Sequence, residues 1–148
     1  MFSPKEIDKG SKKLTSAFNA KLFGEVADLG AGWGYLSKEA LRLNDKITKV
    51  TLFESNYSAY LASKKNIDDE RAKFRWASLD NIKNLKARFN HVICNPPFHS
   101  GRLKDMDLLR SFIFHSTRLI TDHGSVWMVF VSGVYLENEL QNYFDNIK

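Results

Sequence analysis

Short apolar runs alternate with helical patterns along this chain, and no other feature constrains its fold as tightly. Val26-Ala27-Asp28-Leu29 is an apolar run closed by glycines, the pattern of a strand. Tyr35–Leu43 then carries Leu36, Ala40, Leu41 and Leu43 at helical spacing. Lys49–Glu54 reads as a second strand, and Asn56–Asn66 as a helix with Tyr60 and Leu61 facing inward. Phe74–Ala77 and Phe89–Cys94 supply two more strands. Lys104–Ile120 is a longer helix with Leu108, Leu109, Phe112, Ser116, Leu119 and Ile120 on its buried side. Ser125–Val131 is unbroken apolar sequence, as in a strand covered on both faces. Tyr135–Asn146 closes the series as a helix with Leu136, Leu140, Tyr143 and Phe144 on one side. This order predicts an α/β fold, a mostly parallel sheet with helices on both faces. Ligands bind such sheets beyond the carboxyl ends of the strands, where the strand order reverses.

Composition narrows the setting. With 148 residues, 43% of them hydrophobic, the chain can bury a single core without disulfide staples. The one cysteine, Cys94, cannot form an internal bridge, which points to a reducing, cytoplasmic environment. No run reaches the ~18 apolar residues of a membrane span, so no membrane partner is expected. A net charge of +5 favours a polyanionic partner. The basic stretch Met1–Gly24 holds a short helix near Ser11–Ala20, with Leu14, Ala17 and Phe18 on one face, and is expected to pack on the ligand site. His91, His99, His115 and His123 lack ligand spacing with Cys94 or with carboxylates, so no metal is expected. Trp76 and Trp127 read as core.

Asp28-Leu29-Gly30-Ala31-Gly32-Trp33-Gly34 leaves the first strand and enters the first helix after it. Glycines there allow turns closed to other residues and let a ligand approach the backbone. A dinucleotide fingerprint starting at Gly30 would need glycine at position 35, which is Tyr35. The acidic residue two places ahead of Gly30 would repel a pyrophosphate but suits the ammonium of an amino-acid ligand. S-adenosylmethionine is therefore favoured over NAD, with Asp28, Gly30 and Gly32 holding it. Glu54, ending the second strand, is placed to accept hydrogen bonds from ribose hydroxyls. Ser78, beyond the third strand, is placed to meet the adenine, although serines at such positions also serve as caps. Trp33 either covers the methionine part of the ligand or packs onto the sheet.

Asn95-Pro96-Pro97-Phe98 follows the fourth strand. Proline cannot continue a ladder, so the chain must leave the sheet there, and two prolines stiffen it. The Asn95 carbonyl and the Pro96 backbone carbonyl are two acceptors that can converge on an exocyclic amine. Phe98 offers a face on which an extruded base can stack. Arg102 and Lys104, close to the motif, suit RNA phosphates.

Together, Phe2-Ser3 with Ile7-Asp8-Lys9-Gly10-Ser11, Asp28 to Gly34, and Asn95-Pro96-Pro97-Phe98-His99-Ser100-Gly101 resemble the bacterial ribosomal-RNA guanine-N2 methyltransferases. The resemblance runs from Phe2 to about Glu137. It implies a Rossmann-like fold and methyl transfer from S-adenosylmethionine to the N2 amine of a guanine in ribosomal RNA, free or in the small subunit. It implies cofactor contacts from Asp28, Gly30, Gly32 and Glu54, and Asn95, Pro96 and Phe98 at the reacting amine. Asp8, Ser11, Pro97, His99 and Arg102 would lie on the substrate side. DNA adenine and protein glutamine methyltransferases share the shorter Asn-Pro-Pro-aromatic motif, so adenine N6 and a glutamine amide are alternative targets. The chain departs from the family where Ser78 replaces a usual Asp or Asn, and along Phe130–Tyr135. The family's closing β-hairpin and its preceding companion domain are expected to be missing, so residues 25–148 read as a methyltransferase domain incomplete at its C-terminus. An inactive cofactor-binding remnant is a further alternative. Without the hairpin, Ser125–Val131 becomes an edge expected to pair with a second copy.

Overall fold

The computed structural model describes residues 7–97, 103–130 and 136–148. Its strands are β1 (Gly24–Leu29), β2 (Ile47–Glu54), β3 (Ala72–Trp76), β4 (Phe89–Cys94) and β5 (Ile120–Met128). The helices are α1 (Lys9–Phe18), α2 (Tyr35–Leu43), α3 (Tyr57–Asn66), α4 (Leu79–Ile82), α5 (Leu103–Leu119) and α6 (Glu137–Leu140). The strands form one five-stranded parallel sheet in the order β3-β2-β1-β4-β5. Sequence order runs outward in opposite directions from β1, which places the switch point between β1 and β4.

Alternation along the strands sorts the core into two layers. Val26, Val50, Leu52 and Ile93 face one side, against Leu14 and Phe18 of α1 and Leu36, Ala40 and Leu41 of α2. Ala27, Leu29, Phe53, Val92 and Cys94 face the other, against Ile82 of α4 and Phe112 and Leu119 of α5. Asn44 ties the first layer together. Its Oδ1 accepts from the Leu22 amide at 3.0 Å and its Nδ2 donates to the Ala40 carbonyl at 2.9 Å. It thereby links the end of α2 to the chain entering β1.

Several expectations are corrected. Trp76 is not core: it is 61% exposed at the end of the edge strand β3, where its indole donates to the Ser55 carbonyl at 2.9 Å and its ring meets Tyr57 edge-on. Leu61 is exposed, because α3 buries only Ser63 against the sheet. Ala17 is exposed too, and Ser11 and Thr15 are buried in its place. Leu108 points outward while Ile113 and His115 turn in. The last helix is one turn, Glu137–Leu140, with Tyr143 exposed beyond it. Among the described residues β5 is a sheet edge with half-buried residues from Gly124 to Met128, not a strand covered on both faces. Val131 and Tyr135 lie outside the described residues.

Asn44→Ala should lower the free energy of urea unfolding by about 1–3 kcal/mol, because it strands the buried Leu22 amide. An unchanged midpoint would show that the Asn44 tie does not stabilise this layer.

Candidate active site

Strand register assembles the site. Leu29 pairs with Phe53 on one side and with Cys94 on the other. The next residues, Gly30, Glu54 and Asn95, therefore lie side by side at the carboxyl edge of the sheet, at the ~4.8 Å spacing of neighbouring strands, with Glu54 still paired to Trp76 of β3. Residues far apart in sequence reach one edge because three parallel strands end in step.

The glycine loop takes the form its composition requires. Gly30, Gly32 and Gly34 have φ of +66°, +58° and +98°. A Cβ on Gly34 would also lie 2.9 Å from the Ile67 Cδ1. The loop is then pinned to the end of β2. The Ala31 amide donates to the Phe53 carbonyl at 3.0 Å, and the Gly32 amide to Glu54 Oε1 at 2.9 Å. Glu54 Oε2 accepts from the Asn56 amide at 2.9 Å, so this carboxylate braces two loops.

Asp28 sits differently from its sequence reading. It is 0% exposed and accepts a 2.6 Å hydrogen bond from the Ser37 hydroxyl on Oδ2. It lies beneath the glycine loop and is not part of the cleft wall. Its Oδ1 has no partner among the described residues. Burial pushes its pKa up to about 7; the Ser37 hydrogen bond opposes the rise and the Glu54 charge adds to it. Burial likewise raises the Cys94 thiol and lowers the His91 imidazole. His91 accepts from the Trp127 indole on Nδ1 at 3.3 Å and meets Phe23 edge-on, a core role.

Two hollows meet at Gly30. The larger, about 400 Å³, is lined by Ile7, Asp8 and Ser11, the loop from Gly30 to Trp33, Tyr35, Leu36 and Asn95. The smaller, about 250 Å³, is lined by Gly30, Phe53, Ser55, Ala77, Ser78, Leu79, Ile82 and Phe112. The first hollow carries the polar side chains of Asp8, Ser11 and Asn95 beside its apolar residues, and the second is mostly apolar. Ser78 borders the apolar hollow but also caps α4, its hydroxyl and amide both engaging Asn81. Asn95 stands at the first hollow, its Nδ2 within 3.2 Å of both Asp8 carboxylate oxygens and 2.9 Å from the Ser11 hydroxyl. Pro96 is buried and Pro97 half-buried behind it. Phe98, His99 and Arg102 lie outside the described residues, as does the side chain of Lys104.

Sequence reasoning missed Tyr35, Leu36 and Phe112 as wall residues. Their helical spacing marks them as apolar and carries no sign that a cleft opens beside them. Among the described residues no cluster of three or more His, Cys, Asp or Glu side chains could hold a metal ion. No described helix is long and apolar enough to cross a membrane.

Comparison with known proteins places this geometry. Residues 1–148 match the family described as methyltransferase small domain. The chain is 33% identical over 129 residues to ribosomal RNA small subunit methyltransferase C of Buchnera aphidicola subsp. Schizaphis graminum, covering 87% of this chain and 38% of that protein. The protein of the same name from Shewanella sediminis is 30% identical over 129 residues, covering 87% of this chain and 37% of that one. The chain therefore spans about two fifths of the length of the curated relatives it matches. Among solved structures, the T. thermophilus 16S rRNA N2 methyltransferase (RsmC), in complex with AdoMet and guanosine, superposes with a TM-score of 0.80 at 25% identity, covering 97% of this chain and 40% of that one. The fold is that of the Rossmann-like methyltransferases.

The raised pKa of Asp28 gives a pH signature with a definite sign. The folded carboxyl titrates near 7 and the unfolded one near 3.8. Between these values the folded state holds a proton that the unfolded state has released. This group's contribution to stability is complete below about pH 4 and falls as pH rises through 7. Asp28→Asn keeps an acceptor for Ser37 and cannot ionise. Its stability relative to wild type, from urea unfolding between pH 4 and 8, should rise steadily and level off above pH 7. A difference that does not vary with pH would show the carboxyl ionised in the folded protein throughout.

Proposed function

The chain belongs to the methyltransferase small domain family, and we propose that it transfers the methyl group of S-adenosylmethionine to the exocyclic N2 amine of a guanine in ribosomal RNA. The observation that carries this reading is the convergence of the glycine loop and Asn95 on one cleft. The relatives named above as ribosomal RNA methyltransferases support the substrate class, as does the net charge of +5. The neighbour solved with AdoMet and guanosine supports the cofactor and the base.

The residues present fit such a cofactor. Gly30 joins the first hollow, whose polar side chains suit an amino-acid end, to the mostly apolar hollow of Phe53, Leu79, Ile82 and Phe112, suited to a flat base. Gly30 and Gly32 let the ligand approach the backbone closely, and Glu54, next in sequence to Phe53 and Ser55 of the second hollow, would accept from ribose hydroxyls beside its bond to the Gly32 amide. Asp28 lies below the loop and fixes the start of α2 through Ser37; a cation bound above it would draw its carboxyl toward the ionised form. Ser78 borders the adenine end. When bound, S-adenosylmethionine supplies an electrophilic methyl group on a sulfonium.

On the acceptor side, Asn95 Oδ1 and the Pro96 carbonyl take hydrogen bonds from the amine and turn its lone pair toward the methyl group. The new N–C bond forms as the C–S bond breaks, and the surplus proton then leaves the nitrogen to water. No general base is needed before attack. Phe98 stacks on the guanine, while His99, Pro97 and Arg102 contact the neighbouring RNA. These last roles follow the family motif and are part of the proposal.

The chain incubated with S-adenosylmethionine and 16S ribosomal RNA lacking the modification should produce N2-methylguanosine, detected by nucleoside mass spectrometry. Asn95→Ala should reduce turnover on the order of 100-fold, the scale of losing one preorganised hydrogen-bonding group at a reacting centre. Cofactor affinity, measured by calorimetry, should change far less than turnover. Methylation that survives in Asn95→Ala, or appears only on adenine N6, would refute the assignment.

A further inference from the structure

An amide side chain carries an acceptor on one branch and a donor on the other, and a half-turn exchanges them unless its neighbours forbid it. At Asn95 the neighbours forbid it. One branch faces both carboxylate oxygens of Asp8 at 3.2 Å and the Ser11 hydroxyl at 2.9 Å. A carboxylate only accepts, so the branch facing it must be the NH2 group. The Ser11 hydroxyl donates its own hydrogen to Asp8 Oδ2 at 3.1 Å, which turns its lone pairs toward Asn95. A half-turn would set the Asn95 oxygen against the carboxylate, replacing charge-assisted bonds with repulsion. These contacts span 84 and 87 residues, so they join α1 to the end of β4 and are no local turn.

We propose that Asp8 and Ser11 are positioning residues that lock the polarity of the Asn95 amide. With the NH2 branch held by α1, Oδ1 is the branch turned to the acceptor substrate. The site then takes a group that donates hydrogen bonds, an exocyclic amine, and rejects a ring carbonyl. Guanine carries both, a donor at N2 and an acceptor at O6, so the lock selects between two edges of one base. Asp8 and Ser11 touch Asn95 and not the reacting atoms. The inference rests on the reading of Asn95 as the group that orients the amine.

Asp8 also caps α1 by accepting from the Ser11 amide at 2.8 Å, so its replacement must preserve the cap. Asparagine caps as well as aspartate does, but it offers an NH2 branch beside its oxygen and allows the Asn95 amide to reverse. Asp8→Asn should lower kcat on ribosomal RNA at least threefold. Asp8→Asn with Ser11→Ala should lower it about tenfold, as expected for losing one charge-assisted hydrogen bond. With cofactor saturating, the loss should appear in kcat, and the thermal midpoint should stay near wild type. In an Asn95→Ala background Asp8→Asn should cause no further loss, whereas a merely structural effect would persist there. Independently of activity, the Asn95 side-chain NH2 should give one slowly exchanging pair of NMR signals in wild type, and this protection should be lost in Asp8→Asn. An active wild type with an equally active Asp8→Asn overturns the lock and leaves the methyl-transfer reading intact. A wild type inactive on every RNA overturns that reading, and the NMR signals then decide the lock alone: protection unchanged by Asp8→Asn refutes it.

Discussion

The site depends on the register of three parallel strands. Hydrogen bonding of β1 to β2 and to β4 pairs Leu29 with both Phe53 and Cys94. Because strand side chains alternate with period two, a slip of β1 by one residue would exchange the two faces of that strand. It would turn Asp28 out of the α2 layer, put Leu29 in its place and separate Asn95 from the glycine loop. The core and the cleft are specified by the same pairing. The apolar residues that fill both layers also determine which polar residues emerge at the strand ends.

Polar groups at that edge are held by main-chain bonds where possible. Glu54 spends both oxygens on amides of neighbouring loops, and the left-handed glycines let the chain turn sharply enough to present those amides. Asp28 is the exception, a carboxyl buried with one oxygen unpaired among the described residues. Burial without full pairing is costly, and the protein lowers that cost by retaining a proton near neutral pH.

Much of the fold was legible in the sequence because the apolar spacing and the layers agree. Tyr35–Leu43 and Phe89–Cys94 match their observed helix and strand end to end. The failures share a cause. Trp76 and Leu61 are apolar residues on β3 and α3, at the sheet's flank, and hydrophobicity does not reveal whether a neighbouring layer is present. On α1 the reverse holds: Ser11 and Thr15 are buried because their hydroxyls bond to Asp8 and to the Lys12 carbonyl, which a hydrophobic count ignores. Gly30, Gly32, Glu54 and Asn95, which the structure brings to one edge of the sheet, were legible as a glycine motif, a strand end and a proline motif. Their linkage was not, since no sequence pattern records that Asp8 would hold Asn95, or that Asp28 would lie under the loop.

The central claim is that the strand ends form one cleft in which cofactor and acceptor group are neighbours. Backbone and side-chain amide NMR of the isotope-labelled chain, titrated with S-adenosylmethionine, tests it most directly. Shifts should concentrate at Gly30, Ala31, Gly32, Ala77 and the Asn95 side chain, leaving the amides of Gly24, His91 and Ser125 at the opposite end of the sheet unmoved. Saturable shifts at that opposite end, or none at the glycine loop and Asn95, would contradict the account.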